Sequence, residues 1–90
     1  MRTIADICRE ALERYGEAAQ IDMCIEECAE LIAALQHYKR GRCRKADVVT
    51  EIADVQIMCE QMQELFGDLE VSAERHFKLN RLVERMEGKQ

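Results

Sequence analysis

Ninety residues make one domain spanning 1–90; 48% of them are hydrophobic and only 4% aromatic. So much aliphatic surface in so short a chain calls for oligomerisation to complete the core. A formal net charge of −5 argues against a binder of nucleic-acid polymers, and no apolar run is long enough to cross a membrane. The five cysteines, odd in number and without a C-x-x-C pair, read as free thiols in a reducing cytoplasm.

Proline is absent, and Gly16, Gly41 and Gly67 divide the chain into four segments of helical periodicity. The first runs from Thr3, a predicted N-cap, to Tyr15, with Ile4, Ile7, Cys8, Ala11 and Leu12 inward. The second runs from Glu17 to Lys39, with Ile21, Cys24, Cys28, Leu31, Ile32 and Leu35 inward. A basic loop from Arg40 to Ala46 follows. The third begins after Asp47, a predicted N-cap, and ends at Phe66, its stripe being Val48, Ile52, Val55, Cys59, Met62 and Phe66. The fourth runs from Ser72 to Glu87, with Leu79, Leu82, Val83 and Met86 inward. The expected fold is all-α: a four-helix subunit with two long antiparallel central helices, oligomerising into a helical bundle.

The chemistry lies in four acids. Glu27 and Glu30 on the second segment, and Glu51 and Asp54 on the third, share i,i+3 spacing, so each pair leaves one side of its helix. On a wheel of about 100° per residue, Glu27 sits on the rim of its apolar stripe and Glu51 inside its own, close to Met58 and Met62. A carboxylate in such a place is costly unless a cation compensates it. Two flanked pairs on neighbouring helices supply oxygen donors only. Neither His37 nor His76 follows a glutamate by three residues, as the histidines of di-iron bundles do. The donor set favours Mg²⁺, with Mn²⁺ as a substitute, and Mg²⁺ points to a phosphorylated substrate. On the fourth segment Lys78, Arg81 and Arg85 form a strip whose donors could meet phosphate oxygens.

Glu26-Glu27-Cys28-Ala29-Glu30 reads as E-E-x-x-E, Glu51-Ile52-Ala53-Asp54 as E-x-x-D, and Lys78-Leu79-Asn80-Arg81-Leu82 follows downstream. With Gln20 ahead of the first motif, this pattern over residues 15–86 resembles the MazG-like all-α nucleoside triphosphate pyrophosphohydrolases, small single-domain members included. The resemblance implies a homodimer or a dimer of dimers. It implies hydrolysis of a nucleoside triphosphate, ribo or deoxyribo, to the monophosphate and pyrophosphate. Carried onto this chain, Glu27, Glu30, Glu51 and Asp54 would hold Mg²⁺, and Glu26 would orient the attacking water or help bind a second metal. Lys78 and Arg81 would contact phosphates, with Gln20 and Arg85 as further substrate contacts. The rival reading is a non-catalytic helical oligomerisation or adaptor module, for which the Met58, Cys59 and Met62 stripe offers adaptable packing.

Overall fold

The computed structural model describes residues 1–88. Four helices follow one another: α1 (Ile4–Tyr15), α2 (Glu17–Lys39), α3 (Lys45–Phe66) and α4 (Asp68–Met86), with no strand among the described residues. None of these helices is long and apolar enough to cross a membrane.

The helix starts follow from local chemistry. At α1 the Thr3 hydroxyl accepts from the Asp6 amide and the Asp6 carboxylate accepts from the Thr3 amide, both at 3.0 Å. This reciprocal arrangement satisfies two backbone donors that a helix start leaves without partners. The expected cap at Asp47 needs correction. α3 begins at Lys45, and Asp47 stands in its first turn, where its carboxylate accepts from the Arg44 amide at 2.8 Å. An acid serves a helix start from within the first turn as well as from ahead of it.

The expected start of the last helix at Ser72 is also corrected. α4 starts four residues earlier, directly after Gly67. Gly67 has φ 130°, a backbone conformation L side chains rarely adopt, so a single residue breaks the helix and no longer loop is needed. Gly16, at φ 91°, joins α1 to α2 in the same way, its amide donating to the Leu12 carbonyl.

α2 and α3 make the most extensive helix pair. α1 packs on both, chiefly on α3, and α4 packs on α3 alone. The core is small. Cys8 and Met58 are its buried apolar side chains, joined by two buried glutamines. The Gln20 amide donates to Gln61 Oε1 at 2.5 Å, and the Gln61 amide in turn reaches the Met58 sulfur at 3.7 Å. This chain of contacts ties α2 to α3 through polar groups that satisfy one another, as burial requires. At one edge Arg9 of α1 bonds Glu64 of α3 at 3.2 Å.

Of the expected inward residues, Cys8 is buried, and Ala11, Leu12, Ile21, Cys24, Cys28, Leu31, Val48, Val55 and Met62 are half-buried. Ile4, Ile7, Ile32, Leu35, Ile52, Cys59 and Phe66 are exposed. So are Leu79, Leu82, Val83 and Met86: α4 contains no buried residue at all. Met58, absent from the expected α3 stripe, is that helix's buried apolar residue, while Ile52 and Cys59 of the stripe are exposed; a face is buried only where another element covers it.

Candidate metal centre

Midway along α2 and in the first half of α3, three carboxylates meet. Glu27, Glu51 and Asp54 each offer one oxygen, and these oxygens all lie within 4.8 Å of one another. The i,i+3 spacing puts Glu51 and Asp54 on the same side of α3, and the packing of α2 against α3 brings Glu27 to them. Glu30 borders the cluster: its charge acts on both Glu27 and Glu51.

Among the described residues nothing neutralises this group. Glu27 Oε2 and Glu51 Oε2 are buried from solvent and have no hydrogen-bond partner. Among the described residues, the ion pairs join Arg2 and Arg14 to Glu10, Arg9 to Asp6 and Glu64, and Arg44 to Asp47; none reaches the four acids. Burial pushes the Glu27 carboxyl above the ordinary glutamate range, and the charges of Glu30, Asp54 and Glu51 push it further. The Glu51 carboxyl is raised by burial first, then by Glu30 and Asp54. Both effects disfavour charge in the absence of a cation.

The residues present fit a hard divalent ion. Every donor is a carboxylate oxygen, donors come from two helices, and two lone-pair-bearing atoms are withdrawn from water without any hydrogen to accept. Unsatisfied buried oxygens cost free energy unless something occupies them.

The other expected site residues are placed differently. Glu26 is exposed on α2, next in sequence to the cluster. Gln20 is buried and its amide is committed to Gln61. Lys78, Arg81 and Arg85 stand on α4, which does not touch α2, and the Arg81 guanidinium lies over the Phe77 ring, 5.8 Å from its centre. A hollow of about 470 Å³ lies between α1, α3 and α4, lined by Cys8, Glu60, Gln63, Glu64 and Arg75 among others, and includes none of the four acids.

Two contacts between α2 and α3, Gln20 with Gln61 and Cys24 with Cys59, escaped the sequence reading. Gln61 is the partner of Gln20, and its only sequence signal is a place one turn beyond Met58. Cys24 faces both Cys28, one turn along α2, and Cys59 on α3; burial and these two thiols push it up to about 11. All five cysteines are unpaired.

No family model matches the sequence, and neither a curated protein nor a solved structure is significantly similar to it.

Proposed function

We propose that the chain is a Mg²⁺-dependent nucleoside triphosphate pyrophosphohydrolase of the MazG-like kind. It would convert an NTP or dNTP and water to the monophosphate and pyrophosphate, in the cytoplasm, as a homodimer or dimer of dimers. One observation carries the reading: two carboxylate oxygens, Glu27 Oε2 and Glu51 Oε2, are held out of water among other acids with no hydrogen to accept. A silent helical bundle gains nothing from that arrangement, whereas a cation site requires it.

Glu27, Glu51 and Asp54, with Glu30 beside them, would hold the ion. When bound, Mg²⁺, or Mn²⁺ in its place, supplies positive charge against the phosphate oxygens and the pyrophosphate leaving group. The chain's own contribution is to fix the ligand positions on two packed helices. Glu26, exposed and outside every ion pair of the described residues, would accept the proton of the attacking water. Gln20 is spent on Gln61, and the α4 cations stand on a helix that does not touch α2, so neither carries the proposal. Two cross-contacts, Gln20 with Gln61 and Glu27 with Glu51 and Asp54, support the antiparallel course of the central helices.

The second reading, a non-catalytic oligomerisation or adaptor module, is favoured by one observation: the apolar side chains of α4 are all exposed. A panel of ribo- and deoxyribonucleoside triphosphates incubated with Mg²⁺ separates the two. Release of pyrophosphate and a monophosphate from at least one nucleotide supports the enzyme. No release from any nucleotide, together with a melting temperature that responds to Mg²⁺ no more than to matched ionic strength, supports the module.

A further inference from the structure

The α4 arm is built to pair with itself. Val71, Leu79, Leu82 and Met86, all exposed, form an apolar stripe along it that Arg75 interrupts between Val71 and Leu79. On an ideal helix one flank of that stripe carries, in order, Glu70, Glu74, Lys78, Arg81 and Arg85. The flank is acidic at its N-terminal end and basic at its C-terminal end. Among the described residues, none of these five enters an ion pair within the chain.

The total surface argues for a partner. A compact monomer of this chain's 10.4 kDa exposes about 5,400 Å². The chain exposes 7198 Å². The excess, about 1,800 Å² by that scaling, is of the size each subunit loses in an obligate homodimer. α4 is the one helix of the four with no buried residue.

We propose that α4 is a self-association surface whose occupant is the α4 of a second copy, packed antiparallel about a two-fold axis. In an antiparallel helix pair, a flank meets the same flank of its partner in reverse order. The intervals Glu70 to Arg85 and Glu74 to Arg81 share one midpoint, between Phe77 and Lys78. A single register therefore sets Glu70 against Arg85 of the second copy and Glu74 against its Arg81, four ion pairs by symmetry. The apolar stripes close on one another in the same register, and Lys78 sits at the axis, between its own Glu74 and that of the second copy. A parallel pair would instead set this flank against the opposite flank of its partner, so these four ion pairs would not form. This inference uses no residue of the acid cluster and stands independently of the catalytic reading.

The test is the mass of the full chain in solution, by size exclusion with light scattering, without Mg²⁺ or nucleotide. Two variants are compared with the wild type: E70K/E74K, whose flank is all basic, and R81E/R85E, whose flank is all acidic. The wild type is expected to be a dimer, or a tetramer that falls to a dimer in each variant. Each variant alone should associate at least tenfold more weakly at unchanged helical circular dichroism. An equimolar mixture of the two should regain the wild-type mass as a one-to-one species. A monomeric wild type overturns the proposal. So does a pair of variants as associated as the wild type, which would put the interface on another face, and so does a mixture that stays dissociated.

Discussion

Glu27 on α2 and Glu51 on α3 approach one another with one carboxylate oxygen each sealed from solvent and lacking a partner. This relationship has a thermodynamic sign. A carboxyl whose folded pKa is raised adds stability below the ordinary glutamate value, and that contribution is lost as pH rises through the folded value. In the cation-free protein, folding therefore opposes the ionisation of both carboxyls. Glu51→Gln should raise the melting temperature of the cation-free protein at pH 7. It should also shrink the stabilisation that wild type gains from Mg²⁺. A lower melting temperature without cation would contradict the strain inferred here.

Activity should follow the same acids in the opposite direction. Glu30→Gln and Asp54→Asn are each expected to lower kcat/KM for the best nucleotide by about 10²-fold or more. Excess chelator should abolish turnover in the wild type, with Mn²⁺ restoring it. Steady-state pyrophosphate release measures both, and wild-type rates in the two variants would remove the acids from the mechanism.

The Gln20–Gln61 bond predicts non-additivity. Both side chains are buried, so Gln61→Leu strands the Gln20 amide and should cost about 1–3 kcal/mol. Replacing both by leucine removes donor and acceptor together and should recover much of that loss. Urea unfolding of the two single variants and the double variant closes the cycle. Additive losses would mean that the bond contributes little.

The start of α1 gives a prediction about acid. The Asp6 carboxyl is held below its ordinary range, first by the backbone hydrogen bond to Thr3 and then by the Thr3 hydroxyl, with further help from Arg9. A depressed carboxyl contributes fully above its unfolded value, and the contribution is lost as pH falls through the folded one. Thr3→Ala should cost about 1 kcal/mol. Protection of the amides of residues 4–7, taken relative to their intrinsic exchange rates at each pH, should fall as pH falls through that range in the wild type, less so in Asp6→Asn. Equal pH dependence in the two proteins would sink this account.

Helix number and nearly every boundary were legible because glycine interrupts otherwise unbroken periodicity. Two starts were displaced. Asp47 acts from inside the first turn of α3, and Gly67 breaks the chain so tightly that Asp68–Val71, read as a connection, is already helix. The acid cluster was legible because an i,i+3 pair on an apolar rim conflicts with its surroundings on either helix alone. Contacts between distant segments were less accessible. Nothing local distinguishes Gln61, a buried hydrogen-bond partner, from Gln56, which is exposed, until the neighbouring helices are in place. The α4 stripe shows the converse: its spacing announces an apolar face, but spacing carries no information about whether this chain or another one covers it.

Gly67 gives that last helix its heading. A side chain there would meet the strain of φ 130° and also the Glu70 carboxyl group, which lies 2.7 Å from where a Cβ would stand. One residue inserted at this joint would turn every α4 side chain by about 100° about the helix axis. The same amino acids would then face a different direction, with acids and bases aimed away from any twin. The capacity to find a second copy thus resides as much in one torsion angle as in the residues that would touch it.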